Sequence, residues 1–126
     1  MTVKYYRDLH VWQKSMDLAV MVYETVKSLP KEELYSLSDQ IRRAAISIPS
    51  NIAEGNQRNS TRDYVRFLSI ARGSLGELET QLILCERLKY LQKDQTETLL
   101  SQCTEVSKML NGLIQRLQNI ETGPNS

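Results

Sequence analysis

Glycine and proline are scarce in this chain of 126 residues, with five of the first and three of the second. That scarcity excludes an all-β protein built on many tight turns. Histidine occurs once, at position 10. His10 has no companion with which to build a zinc site, and a nucleophilic triad around it would lack its other members. No Glu-x-x-His pair of the kind that di-iron bundles carry is present. Apolar runs such as Leu18–Val22 fall far short of the ~20 residues of a membrane span. The opening segment, MTVKYYRDLH, has none of the apolar stretch of a signal peptide, so a cytoplasmic location is the expectation. No enzyme, cofactor, metal or membrane partner is expected. The two cysteines, Cys85 and Cys103, fall on apolar positions of helical patterns and read as buried free thiols.

What is present is apolar periodicity. Leu9, Trp12, Met16, Ala19, Tyr23 and Val26 step at helical spacing after Asp8, a candidate N-cap, and Pro30 ends the segment. Val11, Leu18 and Val22 form a second stripe beside the first. A second helix opens at Ser36 or Ser38 and lines up Leu37, Ile41, Ala44, Ala45, Ile48 and Ile52. Pro49 lies inside it and removes the donor for the carbonyl of Ala45, which predicts a kink and a substitute donor from Ser50 or Asn51. A third helix follows the cap sequence Ser60-Thr61-Arg62-Asp63 and carries Tyr64, Leu68, Ala71, Leu75, Leu78, Leu82 and Cys85. A fourth follows Asp94-Gln95-Thr96-Glu97, carries Leu99, Cys103, Val106, Leu110, Leu113, Leu117 and Ile120, and stops at Gly123-Pro124.

Helices over about 8–29, 37–56, 61–91 and 95–121 joined by short connections predict one all-α domain. The expected architecture is an up-down-up-down antiparallel, left-handed four-helix bundle, helix two kinked at Pro49. Gly73-Ser74-Leu75-Gly76 has no preceding strand and no Gly-Lys-Ser/Thr, so it is no phosphate loop. Its glycines are expected to admit a neighbouring helix, at ~1 kcal/mol each in helix propensity. Glu77 and Glu79, two apart, point to different faces. Val11, Val22, Phe67, Ile83 and Ile114 are left off the inner seams, which predicts a homo-oligomer.

Charge is balanced at +1 overall and uneven along the chain. Residues 42–72 hold Arg42, Arg43, Arg58, Arg62, Arg66 and Arg72 against only Glu54 and Asp63. Arg58, Arg62 and Arg66 recur every four residues and predict a ridge. Guanidinium forks suit phosphate, and such binding is charge-driven and salt-dependent. The competing reading pairs these arginines with Glu54, Asp63 or Glu77 inside or between subunits.

Three stretches carry a resemblance: Asp8-Leu9-His10-Val11-Trp12-Gln13-Lys14; Gln40-Ile41-Arg42-Arg43-Ala44-Ala45 with Ser47 through Gly55; and Arg66-Phe67-Leu68 through Gly73-Ser74, Glu77-Leu78 and Gln81-Leu82. They resemble the 23S rRNA-intervening-sequence (S23) proteins over roughly residues 5–120. The resemblance implies a four-helix bundle assembled as a homopentamer in bacterial cytoplasm. More distantly the chain is similar to the accessory variability protein of diversity-generating retroelements, a pentamer that binds nucleic acid and a reverse transcriptase. Two functions follow as expectations. One is a non-enzymatic RNA- or DNA-binding oligomer that uses the six arginines. The other is a scaffold that docks a partner enzyme such as a reverse transcriptase, with the arginines as structural ion pairs.

Overall fold

Apolar residues at helical spacing resolve into four α-helices: α1 His10–Val26, α2 Leu37–Asn56, α3 Thr61–Arg87 and α4 Lys93–Glu121. The structure is a computed structural model that describes residues 5–121, the side chain of Glu121 excepted. Among these residues there is no strand, and single 3-10 turns at Tyr6–Asp8 and Lys31–Glu33 complete the regular structure. The stop expected at Gly123-Pro124 lies outside the described residues.

Each helix packs on its neighbours along the chain, and α1 also packs on α4, so the four close a ring around one core. Direction follows from the cross-contacts. Ser47 meets Ser74 at 2.8 Å while Asn56 meets Tyr64 at 3.2 Å, so α2 and α3 run opposite ways. Leu18, Val22, Ile41, Ile48, Ile52, Leu68, Leu75, Leu82, Val106 and Leu110 are all but completely buried in the core. Both thiols are buried there and free.

Several helix ends differ from expectation for local reasons. Asp8 belongs to the 3-10 turn, and the residue that caps α1 is Leu9, without a side-chain bond. The chain leaves α1 at Val26 through tight three-residue bonds, Ser28 N–H to Thr25 O and Leu29 N–H to Val26 O, before Pro30. Ser36 precedes α2 but donates its hydroxyl to Glu33 Oε1 at 2.8 Å and caps nothing. Ser60 does cap α3, accepting from Asp63 N–H at 3.1 Å. α3 stops at Arg87, short of 91, in a Schellman turn. There Lys89 N–H reaches Glu86 O at 2.9 Å and Tyr90 N–H reaches Cys85 O at 2.8 Å.

The core stripe of α1 is the larger correction. Val11, Ser15, Leu18, Val22 and Val26 face inward, whereas Met16 and Tyr23 of the expected inner stripe are exposed and Trp12 and Ala19 half-buried. Val11, Val22 and Ile114, expected on the flanks, are core residues, and of that set Ile83 is exposed. Leu117 is half-buried and Ile120 exposed at the end of α4.

Pro49 sits inside α2, which runs uninterrupted from Leu37 to Asn56. Asn51, expected as a donor to the Ala45 carbonyl, gives its amide instead to Ser47 O at 2.8 Å and to Ser47 Oγ at 2.9 Å. Gly55, still within α2, is a true close approach. A Cβ there would stand 2.8 Å from the Cβ of Phe67 and 3.1 Å from the Tyr64 carbonyl. This contact clamps the end of α2 against the first turns of α3. By contrast, a Cβ at Gly73 or Gly76 would meet nothing within 4 Å, so neither admits a neighbouring helix within the chain.

Candidate nucleic-acid interface

The clamp at Gly55 fixes the short turn between α2 and α3, and with it Arg58. The second residue of α3 is Arg62, and four residues later comes Arg66; all three are exposed. Arg58 and Arg66 both approach the ring of Phe67. Their guanidinium carbons lie 4.8 and 4.5 Å from its ring centroid. Two like charges held on one ring repel, and only partial compensation is at hand. Arg58 reaches Glu54 at 3.2 Å, and Arg66 reaches Asp63 at 3.9 Å. Both pairs are solvent-exposed, so each contributes at most ~1 kcal/mol. Arg62 makes no ion pair among the described residues.

The other three expected site residues lie elsewhere. Arg43, exposed, pairs with Asp39 at 2.9 Å, and Arg42, half-buried, lies 5.8 Å from the ring centroid of Tyr23. Arg43 stands thirteen positions before Asn56 on α2, which places it roughly 20 Å along the helix from the α2–α3 turn. Arg72 turns toward α4 and donates to Asn111 Oδ1 at 3.0 Å. The structure thus brings together Arg58, Arg62 and Arg66 and sets Arg42, Arg43 and Arg72 apart from them. None of the six touches Glu77, although sequence reasoning offered it as a partner.

Sequence reasoning missed Phe67 as a member of the cluster and took it only for a spare apolar residue. The available signal was its position next to Arg66; that Arg58 folds back over the same ring depends on the Gly55 clamp.

A second surface lies on the far side of α2. Trp12, Met16, Val20 and Tyr23 of α1, with Ile46 and Pro49 of α2, line an open groove of about 580 Å³. Val20 is 61% exposed and Ile46 45%. On α3, which stands diagonally across the ring from α1, Ile70, Ile83 and Leu84 are exposed, as is Leu88 just after it. Among the described residues no three His, Cys, Asp or Glu side chains gather as a metal site. No helix there is long and apolar enough to cross a membrane.

Known proteins share both the sequence pattern and the fold. The sequence model of the 23S rRNA-intervening sequence protein family matches residues 7–112. A crystal structure from Bacteroides thetaiotaomicron, described as a protein of unknown function from the S23 ribosomal protein family, aligns with a TM-score of 0.78 at 34% identity. The alignment covers 83% of this chain and 95% of that one. Comparison with curated proteins finds no match.

Proposed function

For a chain that belongs to the 23S rRNA-intervening sequence protein family, we propose a non-enzymatic, oligomeric nucleic-acid-binding role centred on Arg58, Arg62 and Arg66. The observation that carries this reading is the Arg58–Phe67–Arg66 stack with Arg62 one turn away. Three exposed cations crowd one end of the bundle with weak local neutralisation, and a phosphate between them relieves their repulsion. Arg42, Arg43 and Arg72, which lie apart from the stack, belong to a wider basic rim. Binding of this kind follows charge more than sequence, because it reads phosphates and not base edges.

The test is a titration of RNA and DNA oligonucleotides at two salt concentrations. Replacing Arg58, Arg62 and Arg66 with Ala is expected to weaken binding. The log-log salt slope should shrink by about one unit for each phosphate that an arginine no longer neutralises. Helical content and assembly should stay intact. If the triple variant instead dissolves an oligomer that never bound nucleic acid, the arginines serve subunit contacts.

That second reading, a scaffold that docks a partner protein such as a reverse transcriptase, draws on a separate observation: the exposed apolar groove of α1 and α2. The same groove supports self-association, and the homopentamer implied by the resemblance is the form we propose.

A further inference from the structure

At the end of the bundle where α1 begins, a cavity of about 680 Å³ opens between α1, the α2–α3 turn and α4. This size falls within the ~300–1,000 Å³ of small-molecule sites. Leu9, Val11, Met109, Leu113 and Leu117 give it an apolar floor. Buried Tyr64 borders it, its hydroxyl accepting from Asn56 Nδ2 at 3.2 Å. Around the apolar floor stand His10, Arg58, Lys108 and Arg116, and no Asp or Glu is among the described residues that line it. In a chain with fifteen carboxylates and a net charge of only +1, that is a pronounced local imbalance. The charge of Arg116 is felt inside the cavity: burial pushes the Tyr64 hydroxyl above its ordinary pKa, and the Asn56 hydrogen bond and Arg116 pull against that shift.

Gly112 is the second observation. It lies in the middle of α4 and lines the same cavity. A Cβ there would meet only the Arg116 guanidinium, at an ordinary 3.6 Å. No backbone approach calls for glycine at this position, and glycine inside a helix costs ~1 kcal/mol relative to alanine. The effect of its missing side chain is to leave the cavity open.

We propose that this cavity binds a small amphipathic organic anion, its hydrocarbon body on the apolar floor and its charged head among the rim cations. The site is separate from the nucleic-acid reading, and only Arg58 is common to the two.

Calorimetric titration of the full chain with decanoate tests the assignment, with decanol, decylamine and inorganic phosphate as controls. Decanoate is expected to bind, decanol and decylamine at least about tenfold more weakly, and phosphate alone not at all; the tenfold corresponds to one charge-assisted hydrogen bond. Gly112→Leu should project into the cavity and weaken decanoate binding while circular dichroism shows the helices retained. Arg116→Ala should weaken decanoate about tenfold and leave decanol unchanged. Arg62→Ala should weaken oligonucleotide binding and leave decanoate untouched, so the two proposals fail separately. Decylamine binding as well as decanoate, or Gly112→Leu binding like the parent chain, overturns the assignment. So does loss of oligonucleotide binding in Arg116→Ala with decanoate unaffected, since the rim then belongs to the nucleic-acid surface.

Discussion

Lys89 carries the one positive φ of a non-glycine residue among the described residues, at 65°. It occupies the left-handed position of the Schellman turn that ends α3, where a side chain costs an L-residue ~1–2 kcal/mol. Lys89 is exposed and its backbone N–H already serves the turn. Lys89→Gly is therefore expected to stabilise the fold by about 1 kcal/mol, read from chemical denaturation. The cysteines give a second prediction at this scale. Burial raises the Cys85 thiol to about 11 and the Cys103 thiol to about 12, from an ordinary 9.0. The native state then holds thiol protons that the unfolded chain releases above pH 9. Stability is thus undiminished by these groups below pH 9 and falls as pH rises from there toward 11 and 12. Denaturation curves between pH 8 and 11 measure that slope, and native thiols at pH 8 should resist a labelling reagent until the chain unfolds.

Among the elements, α2, α3 and most of α4 were legible because a continuous apolar stripe runs along each buried face, with the buried polar residues Ser38, Asn56, Gln81 and Thr96 set beside the stripe and not in it. Tyr64 through Cys85 on α3 all lie in the core as the spacing predicts. On α1 the same reasoning put the outer stripe first and Val11, Leu18 and Val22 second, and Ser15 is the reason. The true core stripe, Val11-Ser15-Leu18-Val22-Val26, is interrupted by a serine, whose hydroxyl is satisfied by Trp12 O at 2.8 Å and so buries without an outside partner. The neighbouring stripe of Trp12, Met16, Ala19 and Tyr23 is bulkier and uninterrupted, and periodicity alone does not tell a face that packs within the chain from one left open. The glycines of α3 carry the same ambiguity and a test of it. Since nothing in the chain lies within 4 Å of a Cβ at Gly73 or Gly76, Gly73→Ala and Gly76→Ala lack any clash. Each should raise the stability of the single chain by ~1 kcal/mol through helix propensity. If thermal melts show the gain while the assembled mass falls, another subunit uses the space that these glycines leave.

At the scale of the whole molecule, the basic cluster was visible as a window of sequence, but its membership was not. Arg42, Arg43 and Arg72 share that window and lie apart from the stack, whereas Lys108 and Arg116 come from the charge-balanced C-terminal third and stand on the same cavity as Arg58. Folding, not proximity along the chain, decides which charges meet. The same holds for the apolar surface. The α1–α2 groove and the outer face of α3 lie on separate sides of the bundle, since α1 and α3 stand diagonally across the ring. Self-association through one patch alone gives an isologous dimer, while joining two different patches head to tail gives a ring. Light scattering should return a mass several-fold above 14.5 kDa, five-fold for the pentamer that the resemblance implies. Val20→Glu spoils the first patch and Leu84→Glu the second, both at exposed positions where the fold of the single chain loses little. Either variant alone should be monomeric if the patches join head to tail. Mixing the two should then yield a dimer and nothing larger, because one intact patch from each variant makes a single junction and no ring closes. In an isologous arrangement through the groove, Leu84→Glu would leave the parent mass unchanged and the mixture would form no mixed dimer.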